Sequence, residues 1–242
     1  MAELAGMNLE RWRQRAQRAS DDFGLVLALV LATYMLASVL SNDGWSAALL
    51  VAVTGATSIV ALSSAQAKPV FVRRAVWLAL LAVLLALVSA ISGGRHWLSA
   101  ANFIEIGLLA VAMAAVLRRV VSAENVSSRT ILGAISVYAA LGILFTWAYS
   151  LIDRIEHGGF FGPETAARGS DFLFFSYTTL TTTGYGNLVP AGQAGRMVAG
   201  LEMMLGQVFL VTLVAGLVSL WRPGQGLLRR RPKDGAAEQS QG

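Results

Sequence analysis

The 242-residue chain has no cysteine and only two histidines, His96 and His157. Disulfides and thiolate metal ligands are excluded, and two imidazoles far apart in predicted loops read as solvated polar groups. Charge is scarce too. Asp, Glu, Lys and Arg make up 14% of residues against 55% apolar, more hydrocarbon than a water-soluble domain of this length carries. The net charge of +5 sits in short basic clusters between apolar runs, so the expected partner is a lipid bilayer and not nucleic acid. Glu105 and Glu202 are the only ionisable residues deep within those runs, with no histidine or cysteine near either. No acid, base or nucleophile constellation follows, which argues against an enzyme, and no cofactor is expected.

What is present is a series of apolar runs near the roughly 20 residues needed to cross hydrocarbon. They predict an all-α integral membrane fold with six spans at 23–40, 45–63, 74–92, 102–118, 131–153 and 196–221. The second is the weakest, because Thr54, Gly55, Thr57 and Ser58 dilute it. With a cytoplasmic amino terminus, fifteen of the 19 basic residues fall on the inner side and four (Arg95, Arg154, Arg168 and Arg196) on the outer side. That bias fits the positive-inside rule with both ends cytoplasmic, in a multi-pass protein of the cell membrane. Residues 1–22 read as a basic cytoplasmic segment and 23–120 as a four-helix membrane domain. Residues 222–242, punctuated by proline and glycine, read as a disordered cytoplasmic tail, with no attached ligand-binding domain expected.

Between the fifth and sixth spans the pattern changes. Gly158 to Gly169 is rich in glycine and polar residues, an exposed outer loop. Ser170 is a candidate helix cap ahead of Asp171, whose charge suits a helix amino terminus. The apolar run that follows, with Phe172, Leu173, Phe174, Phe175, Tyr177 and Leu180, is too short to span, as a re-entrant helix would be. Thr181 to Gly186 then reads T-T-T-G-Y-G. Alternating left- and right-handed backbone would turn successive carbonyls toward one axis, and glycine enters left-handed space without steric penalty. Gly184 and Gly186 interleave with Thr183 and Tyr185 at that spacing.

The run from Tyr177 to Pro190, Y-T-T-L-T-T-T-G-Y-G-N-L-V-P, resembles the pore helix and selectivity filter of the potassium channel family, and the resemblance extends through the flanking helices, from about 131 to 221. It implies a pore domain over 131–221, with an outer helix, a pore helix at 171–181, a filter at 182–186 and an inner helix at 196–221. The implied potassium sites are carbonyls of Thr182, Thr183, Gly184 and Tyr185, with the Thr182 hydroxyl, and Gly186 closes the filter. Tyr185 would brace the filter against Phe174, Phe175 and Tyr177. Since the chain carries one such loop and a carbonyl ring needs about four, a homotetramer is expected. Many members carry acidic residues at the positions of Asn187 and Thr178, and both are neutral here. Glu202 then either reaches the back of the pore helix near Thr178 or faces the outer interface. Gly206 aligns with the family's hinge glycine, and either flexibility or close packing accounts for it. If it is the hinge, Leu210, Val214 and Val218 line the cavity below.

The expected function is passive potassium conduction, with a less selective cation channel or an accessory subunit as alternatives. A voltage sensor needs basic residues at every third position across a span, and no span has them, so weak or absent voltage gating is expected. No second copy of the re-entrant pattern occurs, as a secondary transporter built of repeats would require.

Overall fold

In the computed structural model, the described residues are 23–40, 43–122, 128–156 and 159–220. The basic segment 1–22, His157 and the tail from 221 onward lie outside them. The described chain is all-helical, with α1 (Phe23–Val39), α2 (Gly44–Ser64), α3 (Pro69–Ser92), α4 (Arg95–Val121), α5 (Ser128–Ile155), α6 (Gly169–Leu180) and α7 (Gln193–Leu220). Five of these are long and apolar enough to cross a membrane, namely α2 to α5 and α7; α1 is apolar with 17 described residues.

Local chemistry accounts for most boundaries. Pro69 opens α3, where its missing N–H costs nothing, and Gly93 closes it in left-handed conformation (φ 69°), its N–H bonding Ser89 O. Three of the hydroxyls of α2 are accommodated internally: those of Thr54, Thr57 and Ser63 donate to the carbonyls four residues back at 2.8–2.9 Å and so need no outside partner. Ala75, Ala79, Ala82 and Ala86 form a buried stripe on α3. A Cβ at Gly44 would stand 2.7 Å from Ala90 Cα, and one at Gly55 3.0 Å from Ala79 Cβ. Small residues on both sides let these two helices approach closely, the packing mode that serves where lipid is as apolar as the side chains.

The helices bury two clusters. The larger joins α1 to α5 through residues such as Val30, Val51, Leu109, Val116 and Ile143. The second, of Phe145, Tyr149, Phe160, Phe172, Phe175 and Ala199, lies where α5, α6 and α7 meet the loop between α5 and α6. α5 belongs to both, so it connects the first four helices to the region of α6.

Candidate functional site

α6 is held from three sides. At its start the Arg168 N–H donates to Asp171 Oδ2 at 2.8 Å. Gly169 is the first helical residue and Arg168 the N-cap, two residues before the cap expected at Ser170, and Asp171 satisfies the exposed backbone donor itself. Ahead of it the loop is pinned by aromatic packing. Phe160 is fully buried with its ring 5.0 Å from Tyr149 and 5.7 Å from both Phe172 and Phe175. Its N–H donates to Asp153 Oδ1 and its carbonyl accepts from the Ala191 N–H, both at 2.8 Å. Phe175 is thus part of this platform.

Along its flank α6 meets α5 at unusually short range. Tyr177 OH donates to Ala139 O at 2.6 Å, Ser176 Oγ lies 2.7 Å from Gly142 O, and a Cβ at Gly142 would stand 2.7 Å from the Tyr177 ring. Tyr177 also meets Tyr34 of α1 edge-on at 4.9 Å. On the far side, Glu202 of α7 is fully buried. Its Oε1 lies 2.5 Å from Ser176 Oγ and its Oε2 accepts from Tyr149 OH at 2.5 Å. Glu202 therefore sits behind α6 and not at the outer interface, and its contact is Ser176, two residues before Thr178. Thr178 Oγ1 turns back to Phe175 O.

Beyond Leu180 the backbone leaves the helix through a tight set of bonds: Thr181 N to Tyr177 O, Thr182 N to Thr179 O, and both Thr183 N and Gly184 N to Thr178 O, at 2.8–3.1 Å. Thr182 (φ 58°), Gly184 (φ 53°) and Gly186 (φ 79°) are left-handed, alternating with Thr183 and Tyr185, which are not. Thr182 is β-branched, for which this region is strained, and its Oγ1 donates to Thr181 O at 2.7 Å. Every residue from Thr181 to Asn187 is exposed in the single chain. Tyr185 stacks on Phe174 with centroids 5.6 Å apart, so of the three expected braces Phe174 alone meets it within one chain.

α7 returns from this turn with Arg196 Nε donating to Pro190 O at 3.0 Å. It buries a narrow stripe, Gly195, Ala199, Glu202 and Gly206, and exposes Met197, Leu201, Met204, Leu205, Val208, Leu210, Val211 and Val214. The Val218 side chain lies outside the described ones. A Cβ at Gly206 would meet Leu180 O at 2.7 Å, and Tyr138 OH donates to the same carbonyl at 3.2 Å. Tyr138, Gly142, Tyr149 and Ser176 were not singled out from sequence. A tyrosine tip or a glycine within an apolar span was the available signal.

A short apolar helix, a turn of alternating handedness and two flanking membrane-length helices make up the arrangement of a pore module, in a multi-pass membrane protein. Residues 135–222 match the ion channel family. The chain is also similar to a cyclic nucleotide-gated potassium channel of Rhizobium etli, 35% identical over 92 residues, which is 38% of this chain and 24% of that protein. The similarity thus spans about a quarter of that relative's length. No solved structure matches the chain.

Proposed function

We propose that the chain is one subunit of a homotetrameric channel that conducts potassium passively through a ring of four T-T-T-G-Y-G segments. The observation that carries this reading is the alternation at Thr182, Gly184 and Gly186, since carbonyls brought to one axis can replace the hydration shell of a dehydrated cation. In the proposed roles, the carbonyls of Thr182, Thr183, Gly184 and Tyr185 and the Thr182 hydroxyl hold K+ in succession, and Gly186 completes the turn. Tyr185 in place of an acidic residue, and potassium in the name of the Rhizobium relative, favour potassium over sodium.

One filter segment per chain requires four chains, and the exposed apolar surface of α7 together with the exposed filter supports a packing partner there. We assign 131–221 to the pore domain, with 171–181 as pore helix, 182–186 as filter and 196–221 as inner helix. Residues 23–120 form a membrane domain without sensing charges, and both ends are cytoplasmic. Phe174, Phe175, Tyr177, Thr178, Asn187 and Glu202 support the filter. Gly206 with Leu210, Val214 and Val218 shapes the passage below. Rubidium or potassium flux into liposomes holding the purified protein tests this: passive uptake following the potassium gradient is expected, and saturating uptake coupled to another gradient would overturn it.

A further inference from the structure

The first four helices contain a buried carboxyl that the pore does not use. Glu105 on α4 is fully buried, about 15 Å along the axis from Arg95 at the rise of an α-helix. Neither Oε1 nor Oε2 has a hydrogen-bond partner. On α2, which packs against α4, Ser58 is also fully buried with an unpartnered Oγ. Gly55 lies one turn before Ser58 on the same face, and a Cβ there would stand 3.1 Å from Glu105 Oε1. Glycine makes a notch that admits the carboxyl between α2, α3 and α4. Buried polar atoms are nearly always partnered, so two fully buried, unpartnered side chains on packed helices call for a ligand.

The charges around the notch do not supply one. α2 has no ionisable residue anywhere in its length. α3 has only Arg73 and Arg74, both exposed and more than a turn from Ala79. Within α4 the nearest ionisable groups are His96 and Arg118, each more than two turns away. On α5, Tyr138 is bonded to Leu180, Tyr149 to Glu202 and Asp153 to Phe160, while Arg129 lies at the opposite end. Arg154 approaches Asn102, one turn outward of Glu105: with the amide assigned to satisfy both its ends, Asn102 Oδ1 accepts from Arg154 Nη1 at 2.6 Å and its nitrogen donates to Leu98 O at 3.2 Å.

We propose that Glu105, with Gly55 and Ser58, forms an intramembrane proton-binding site, whose ligand is a single proton taken up and released as the pH of the medium changes. Ionisable groups at membrane depth are costly and mark ion and proton sites. With the proton bound, the carboxyl is uncharged and the seam between α2, α3 and α4 closes on it. Release leaves a carboxylate whose desolvation nothing repays, and the seam opens to water. Asn102 links that movement to Arg154 at the outer end of α5, beside the pore module.

Infrared difference spectroscopy on the full chain in detergent reads the carbonyl stretch of a protonated carboxyl and needs no ion flux, so it stands apart from the conduction reading. In a Glu202→Gln background, which removes the other buried carboxyl, a protonated-carboxyl band is expected at acid pH, lost on alkaline titration and lost altogether when Glu105→Gln is added. Deuterium uptake along α2 and α4 should rise over the same titration and stay flat with Glu105→Gln. A band absent at every pH, unmoved by pH or retained after Glu105→Gln overturns the proposal. Should the glutamine variant not fold, Glu105→Asp keeps a carboxyl in altered surroundings: a displaced band supports the assignment and an unchanged one overturns it.

Discussion

Ser176 has one hydroxyl hydrogen and two acceptors in reach, Gly142 O and Glu202 Oε1, while Tyr149 closes the other side of the same carboxyl. Helices α5, α6 and α7 are thereby joined through three side chains in a dry site, where each unsatisfied group costs about 1–3 kcal/mol. Glu202→Ala leaves Tyr149 without its acceptor, and the expected outcome is a loss of roughly that size per orphaned group, read as a lower thermal midpoint in detergent. Glu202→Gln keeps the volume and should lose less. Gly206 gives a prediction whose sign separates its two readings. If glycine served bending alone, alanine would stabilise the helix by about 1 kcal/mol. A Cβ at 2.7 Å from Leu180 O must instead push α7 off the base of α6, so Gly206→Ala is expected to lower both the thermal midpoint and the potassium flux. At Gly184 the space is open in the single chain and the constraint is conformational, since a left-handed alanine costs roughly 1–2 kcal/mol. Gly184→Ala should abolish selective flux while leaving the helix content of the circular dichroism spectrum unchanged.

Among the elements, five of the six expected spans correspond to helices long and apolar enough to cross a membrane and the first to the 17-residue apolar helix Phe23–Val39, because apolar length is a property of composition. The runs expected at 45–63 and 131–153 correspond to Gly44–Ser64 and Ser128–Ile155. The larger differences fall where helices continue past the hydrocarbon. α3 starts at Pro69, taking in Arg73 and Arg74, and α4 starts at Arg95, seven residues before the expected 102. Charged and polar residues end an apolar run without ending a helix, so hydropathy cannot see that extra turn. The alternating backbone of the T-T-T-G-Y-G turn was legible for a different reason: Gly184 and Gly186 are needed for their φ values, and glycine advertises such positions. The supports of α6 were not legible. Gly142 and Gly206 are conspicuous in sequence, but spacing along one helix does not say that the first faces the Tyr177 ring and the second the Leu180 carbonyl. Nothing in the sequence distinguishes Ser176 from the hydroxyls around it, and the position of Glu202 in an apolar run is compatible with either of two surroundings. At this scale α4 also carries a prediction. Between His96 and Arg118 its only ionisable residue is Glu105, so no ladder of positive charge exists to move in a field worth about 2.3 kcal/mol per charge per 100 mV. Single-channel open probability is expected to vary weakly with voltage; a steep voltage dependence, with several charges moved per channel, would refute this.

For the whole molecule, the decisive feature is that the filter and most of α7 are uncovered in one chain. Apolar side chains at Met197, Leu201, Met204, Leu205, Val208 and Val211 are content against lipid, but the carbonyls of Thr182 to Gly186, which accept no hydrogen bond among the described residues although the N–H groups of Thr182, Thr183 and Gly184 are bonded, are not, because unpaired peptide groups at membrane depth are tolerated only against protein or water. In the proposed tetramer, four copies around one axis would meet that requirement, with the first four helices of each chain outside the pore and touching it through α5 and the Tyr34–Tyr177 contact. Native mass spectrometry from detergent should therefore give a species of four chains, and Gly206→Ala should raise the proportion of smaller ones. Whether the protein conducts potassium selectively is decided by planar-bilayer recording of the purified protein between potassium and sodium solutions. A reversal potential that follows the potassium gradient is expected, with Gly184→Ala silent or unselective. A current carried equally by sodium, or no current from a well-folded tetramer, would contradict it.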